Sequence, residues 1–399
     1  MRWVSALSEK GDFHKALEEC AAKLRDGSGG PPDLLFAFPS PHHAEHYDRM
    51  PELLKKAIGA KNVVGCSGGG IIGGGREIEH RRALGLIAAW LPGVEVKTFH
   101  VTQETMPDPD APPKAWREWT GVPVTSADSI PSFVILTDPF SVNAEELAQG
   151  LDFAYPGAVK VGGLASGMMQ PGGNALFCGL RRYDRGGVGV ALTGNIVVDP
   201  IVAQGCRPIG DPLQITKCER NLLIELDEKR TLDVLEGLIE NLPPEDQELA
   251  RTSLFIGVVN DATKSGESKR DYLIRNLVGL DPKNGILAVG AYVRPGQTVQ
   301  FHLRDRKTSA DDLKERLTRY RKKHQPGRPQ GALLFSCLGR GENLYREPNH
   351  DTEMFLEEFG AVPVGGFFCN GEIGPVDGST YLHGFTSCFG IFRPMETKS

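Results

Sequence analysis

The sequence predicts an α/β fold in which repeated strand-helix-strand units form mixed sheets covered by helices, arranged as two modules. Three stretches of the chain each read as an apolar run, a polar loop, an amphipathic helix and a second apolar run that ends in a glycine cluster. Each stretch covers about thirty residues, the length of a right-handed crossover between parallel strands. A chain of 399 residues also exceeds one typical domain, so at least two cores are expected.

The first unit opens with Leu34 to Phe38, turns helical from Pro51 to Ile58, and ends at Val63-Val64-Gly65-Cys66-Ser67-Gly68. The second opens with Phe133 to Leu136, passes Asp138-Pro139-Phe140-Ser141 and a helix from Ala144 to Asp152, and ends at Val161-Gly162-Gly163-Leu164-Ala165-Ser166. The third runs from Ala332 to Cys337, through a helix from Asp351 to Phe359, to Val364-Gly365-Gly366 and then Asn370-Gly371-Glu372. A further apolar run follows each cluster (Ala83 to Trp90, Gly187 to Leu192, Phe385 to Phe392), with alternating patches at Val94 and Ile196 that predict hairpins extending the sheets. Between the second and third units lies a shorter pattern, expected to continue the alternation of helix and strand. Its apolar runs are Leu254 to Val259, Tyr272 to Asn276, Ile286 to Val289 and Val299 to Asp305. A Lys/Ser/Gly loop separates the first two, and the Arg294-Pro295-Gly296 turn precedes the last. Leu232 to Glu240 and Ser309 to Lys323 read as helices, the latter with Ser309 at its cap. The module boundary is expected between Thr216 and Asp227.

Apolar residues make up 40% and charged residues 24%, an ordinary globular balance, so the whole chain is expected to fold. A net charge of -6 without an isolated basic block argues against a nucleic-acid partner. Arg319 to His324 is the strongest basic run and reads as the end of a helix, where cations suit the dipole. No apolar stretch reaches the roughly 20 residues that span a bilayer, so no membrane association is expected, and the location implied is cytoplasmic. Eight cysteines are scattered without a CxxC pair or zinc-ligand spacing, and His42, His43 and His46 lack a fourth ligand nearby, so no metal is expected.

The glycine clusters are the chemical signal. Gly68-x-Gly70-x-x-Gly73 follows a strand as a dinucleotide loop would, but Gly73, Gly74 and Gly75 cannot start the helix that a phosphate needs, and no P-loop occurs. No cofactor is therefore expected. Residues without Cβ let the backbone approach a ligand or another segment closely, and the clusters around Cys66, Ser67, Gly68, Gly163 and Ser166 are expected to border a pocket beyond the strand ends. Asn370 and Glu372 lie beside the third cluster, where Glu372 can meet an ammonium or hydroxyl, pair with Arg340 or cap a turn. Arg304 and Arg340 can each receive a carboxylate through forked hydrogen bonds or serve in a salt bridge. Cys337 and His383, with Glu372 to orient the imidazole, also fit an activated thiolate.

The string Gly331-Ala-Leu-Leu-Phe-Ser-Cys337-Leu-Gly-Arg340-Gly, followed by Pro363-Val-Gly-Gly-Phe-Phe-Cys-Asn370-Gly-Glu372-Ile-Gly-Pro375 and Leu382-His383-Gly384-Phe-Thr386, closely resembles the C-terminal FIST module. Asn62-Val-Val-Gly-Cys66-Ser-Gly-Gly-Gly resembles the N-terminal FIST module, and Arg294-Pro-Gly296 with Phe301-His-Leu-Arg-Asp305 fits the family. The resemblance implies modules over 1–220 and 221–399 and a non-catalytic sensor of a small ligand such as an amino acid or related metabolite. With no room seen for an F-box or output domain, it also implies a protein partner for the signal. A cysteine-dependent transferase or hydrolase using Cys337 and His383 is the alternative.

Overall fold

The structure is a computed structural model that describes residues 1–25, 30–124, 130–259, 272–323 and 329–395. The chain forms two compact units, one of Met1–Ala203 with Lys314–Ser399 and one of Gln204–Leu313.

The larger unit is built from three rounds of one strand plan. The first round comprises β1 (Arg2–Ser8), α1 (Phe13–Arg25), β2 (Leu34–Pro39), α2 (Met50–Ile58), β3 (Asn62–Cys66), the hairpin β4 (Gly70–Gly73) and β5 (Arg76–Glu79), and β6 (Leu84–Trp90). The second comprises β7 (Val94–Val101), α3 (Pro113–Thr120), β8 (Ser132–Thr137), α4 (Ala144–Ala154), β9 (Lys160–Leu164), the hairpin β10 (Leu176–Cys178) and β11 (Arg181–Tyr183), and β12 (Gly187–Gly194). The third starts with β13 (Val197–Ala203), and the chain then enters the smaller unit. There it forms β14 (Cys206–Glu219), β15 (Leu222–Leu226), β16 (Lys229–Arg230), α5 (Thr231–Glu240), α6 (Pro244–Ser253), β17 (Leu254–Val259), β18 (Tyr272–Asp281), β19 (Ile286–Val289) and β20 (Thr298–Arg304). The third round resumes through α7 (Arg306–Lys323) with β21 (Gly331–Cys337), α8 (Gly341–Tyr345), α9 (His350–Phe359), β22 (Val364–Cys369), the hairpin β23 (Glu372–Val376) and β24 (Ser379–His383), and β25 (Ser387–Arg393).

The strand orders are β1-β6-β2-β3-β10-β11, β7-β12-β8-β9-β23-β24 and β13-β25-β21-β22-β4-β5. In every sheet the two strands joined by the crossover helix pair in parallel, and their neighbours pair antiparallel, which gives the expected mixed sheets. Each hairpin, however, leaves its own round and extends another sheet. The three sheets turn one apolar face to a shared core that includes Phe36, Val64, Val134, Val161, Phe335 and Phe367. Helices cover the outer faces: α1 and α2 over the first sheet, α3 and α4 over the second, and α9 over the third, where Phe355 stacks on Phe389 at 5.2 Å.

Local chemistry sets the helix ends. Asn143 caps α4 by accepting the Glu145 and Glu146 amides, and Gly59 closes α2 in the left-handed conformation. α7 begins earlier than its sequence pattern predicts. Asp305 accepts the Thr308 amide at 2.7 Å, whereas Ser309 donates its hydroxyl to the Gly205 carbonyl.

The smaller unit corrects the expectation of continued helix and strand alternation. Its strands pair antiparallel in the order β14-β20-β17-β18-β19-β15-β16, and β14 also pairs with β15, which closes a barrel. Ile209, Leu223, Ile256, Val299, Phe301 and Leu303 belong to its core. Closure leaves no long edge exposed, and α5 and α6 come before β17 in the chain. The Lys/Ser/Gly loop and His324 lie outside the described residues. Among the described residues no helix is long and apolar enough to cross a membrane, and no cluster of His, Cys, Asp and Glu could hold a metal ion.

Candidate ligand site

Three chain corners meet in the larger unit, one from each sheet: Ser67 to Gly69 after β3, Ala165 to Gly167 after β9, and Asn370 with Gly371 after β22. The Ser166 amide donates to the Ser67 carbonyl at 3.2 Å, the Gly69 amide to Ser166 Oγ at 2.9 Å, and the Ser166 hydroxyl to the Phe368 carbonyl. The Leu164 amide donates to the Gly371 carbonyl at 2.9 Å, and the Asn370 amide returns to the Leu164 carbonyl at 3.1 Å.

Glycine is needed because the corners are so close. A Cβ on Gly68 would stand 2.8 Å from Phe367 Cβ, one on Gly163 would stand 2.4 Å from Cys369 Sγ, and one on Gly167 would stand 2.8 Å from Ser67 Oγ. Gly68 and Gly163 are buried, so their missing side chains serve contact between corners; Gly69, Gly167 and Asn370 are only half-buried.

Beside these corners Cys337, Leu338 and Gly339 form a half-buried edge. The Cys337 amide donates to the Thr386 carbonyl and the Leu338 amide to the Cys369 carbonyl, each at 3.0 Å. Glu372 is fully buried, and Oε2 of its carboxylate accepts the Thr386 amide at 3.1 Å and the Thr386 hydroxyl at 2.8 Å. His383 stands opposite Glu372 in the β23–β24 ladder, with Nε2 at 3.0 Å from the Gly374 carbonyl oxygen. Phe385, next to Thr386, holds a left-handed φ of 64°, a conformation that costs a bulky residue about 1–3 kcal/mol and clusters at ligand clamps. The result is a shelf of backbone and small residues above a buried carboxylate.

A second polar line leads away from the corners. The Ser67 hydroxyl donates to Asn174 Oδ1 at 3.3 Å, and Asn174 Nδ2 donates to Asp138 Oδ1 at 3.3 Å. Asp138 Oδ2 accepts the Ser141 hydroxyl and the Phe140 amide. Ser141 in turn borders an open cleft of about 510 Å³ at the carboxyl end of β8, lined also by Gln103, Glu104, Phe140, Asn143 and Arg185.

The structure thus brings Ser67, Gly68, Gly163, Ser166, Asn370 and Glu372 together, with Cys337 and His383 on the adjoining strand ends. Cys66 lies inside the shared core, and burial pushes its thiol pKa well up. Arg340 is fully buried and committed to a carboxylate, that of Asp351, through Nε and Nη2 at 3.0 Å each. Burial alone would raise the Asp351 pKa, but the Arg340 charge outweighs it and holds that carboxyl well below the usual range. Arg304 ends β20 in the barrel unit, where it is buried. Sequence reasoning missed Gly69, Asn174 and Thr386 as site residues; Thr386 sat inside a quoted motif, and Asn174 follows Gly172-Gly173. The cleft residues carried no motif beyond the Asp138 to Ser141 loop.

Comparison with known proteins decides the family. The FIST N domain profile matches residues 33–229 and the FIST C domain profile matches residues 231–375. The chain belongs to the FIST family. An uncharacterized protein of Mycobacterium tuberculosis is 33% identical over 398 residues, spanning 98% of this chain and 100% of the relative. An uncharacterized protein of Mycobacterium bovis is 33% identical over 388 residues, 96% of each chain. An F-box/LRR-repeat protein of Arabidopsis thaliana is 30% identical over 158 residues, 37% of this chain and 28% of the relative. FIST domains are associated with sensing and signal transduction.

Proposed function

We propose that this FIST protein is a non-catalytic sensor that binds a small polar metabolite, an amino acid or a relative of one, on the shelf where the three corners meet. The observation that carries the reading is convergence: glycine-rich corners from three sheets exchange hydrogen bonds around one point, beside the buried Glu372 carboxylate. Glu372 receives a ligand ammonium or hydroxyl, while the half-buried Asn370 side chain supplies a neutral hydrogen-bonding group. Ser67, Gly68, Gly163 and Ser166 hold the corners in register; Cys66 and Arg340 support from the core, and Arg304 belongs to the barrel's share of the family motif. The division into modules 1–220 and 221–399, a cytoplasmic setting and a protein partner for output belong to the same proposal.

The test is a thermal-shift screen of the full chain against amino acids and their derivatives, followed by calorimetry on the hits and on Glu372→Gln. A ligand at a hundred times its Kd adds about 2.7 kcal/mol of stability, a readily measured shift. Binding weakened at least tenfold in Glu372→Gln supports the shelf; equal affinity in the variant removes it. No shift with any compound, together with turnover that Cys337→Ala and His383→Ala abolish in folded protein, would establish a cysteine enzyme instead.

A further inference from the structure

Cys337 and Cys369 are register partners on the parallel strands β21 and β22, and neither is in a disulfide. Partners in adjacent strands point their side chains to the same face, and strands lie about 4.8 Å apart, inside the roughly 4.4–6.8 Å window of Cα separations that a disulfide spans. The strands stay paired beyond this point, because the Leu338 amide donates to the Cys369 carbonyl at 3.0 Å. The two thiols differ in access. Cys337 is half-buried at the strand end, whereas Cys369 is fully buried on the core side.

The Cys337 sulfur accepts a backbone hydrogen bond. The Gly339 amide donates to Sγ at 3.4 Å, and the buried guanidinium of Arg340 lies within electrostatic reach of the thiol. By contrast, the half-buried Cys218 thiol of the barrel donates to a carbonyl, that of Val293. A half-buried cysteine set beside a fully buried one is the arrangement of a peroxide-reactive cysteine with its resolving partner.

We propose that Cys337 and Cys369 form a redox-responsive dithiol, in which a hydroperoxide oxidises Cys337 and Cys369 resolves it to a cross-strand disulfide. The Cys337 thiolate attacks the terminal oxygen of the hydroperoxide, forming an S–O bond and breaking the O–O bond. The departing oxygen takes up a proton and leaves as water or an alcohol. Cys369 then gives up its proton and attacks the Cys337 sulfenic sulfur, forming the S–S bond and expelling hydroxide, which that proton converts to water. The thiols together lose two electrons and the peroxide gains two. The inference stands on strand register and does not depend on what the shelf binds.

The experiment treats the reduced full-length protein with hydrogen peroxide, blocks remaining thiols and maps tryptic peptides without reductant. Cleavage at Arg340 and Arg346 separates Cys337 from a peptide that carries both Cys369 and Cys388, and fragmentation of the linked pair tells which of the two is joined. The expected result is a linked pair, two hydrogens lighter than the separate peptides and released by dithiothreitol, formed at least tenfold faster than any oxidation of Cys218. Cys369→Ser should leave Cys337 as a sulfenic acid that dimedone labels. Sulfinic or sulfonic acid at Cys337 of the wild type without the link, a link from Cys337 to another cysteine, or oxidation no faster than at Cys218 would overturn the proposal.

Discussion

Replacing Gly366 with alanine tests the strand plan at its tightest point. Gly366 sits in β22 opposite Leu334 of β21, and an ideal Cβ on it would stand 1.9 Å from the Leu334 carbonyl oxygen. Gly65 and Gly162 hold the same place in the other two sheets, with separations of 2.0 Å from Ala37 O and 1.8 Å from Ile135 O. The obstacle is backbone, so no side chain can swing aside, and the strands must part by more than an ångström. Such a shift sacrifices the ladder bonds on either side, about 1 kcal/mol each, and the φ of +152° at Gly366 adds about 1–3 kcal/mol for an L residue. The expected loss is about 3–5 kcal/mol, a large share of the roughly 5–15 kcal/mol that holds a typical protein folded. Urea unfolding followed by tryptophan fluorescence reads this unit alone, because Trp3, Trp90, Trp116 and Trp119 all lie in it. Gly384→Ala is the control: nothing lies within 4 Å of its ideal Cβ, and a change within about 0.5 kcal/mol is expected. Equal midpoints for the two variants would refute the steric argument.

Two further predictions concern buried charged groups at the α8 and α9 segments. Burial, and then the nearby Asp351 charge, push the Glu77 carboxyl from 4.5 up to about 8. The folded state therefore holds this proton more tightly than the unfolded chain does, so the stabilisation is complete below pH 4.5 and is lost as pH rises through about 8. The melting temperature should fall between about pH 5 and pH 9, less steeply in Glu77→Gln, and a slope unchanged by the substitution would count against this account. Arg340→Met leaves the Asp351 carboxylate buried without its cation, at a cost of about 3–5 kcal/mol, and Arg340→Met/Asp351→Leu should recover most of it. Urea midpoints of Arg340→Met, Asp351→Leu and the double variant supply a double-mutant cycle, and no recovery in the double variant would contradict the pairing.

The parallel pairs were legible because each rests on local information: two apolar runs at crossover distance, with an amphipathic helix between them. The destinations of the hairpins were not, since β4, β10 and β23 are short and could pair with any exposed edge of a sheet. The barrel was misread for a related reason: its strands look like those of the crossovers, and only the antiparallel register of β14 with β20 and of β17 with β18 separates the two plans. Buried charge was equally illegible, because the carboxylate that Arg340 meets depends on how the α8 and α9 segments fold back. Likewise the group that accepts the Thr352 amide and hydroxyl is Glu77, 275 residues away. Hairpin exchange also accounts for the site. A hairpin that extends a foreign sheet must leave its own sheet at the end of β3, β9 or β22 and cross toward the next, so all three crossings pass close to one another. Crossings at that spacing tolerate few Cβ atoms, which makes the glycine clusters visible in sequence. What sequence alone could not tell is which of them face each other and which face outward, because Gly68 and Gly69 have the same chemistry and differ only in what the fold lays over them.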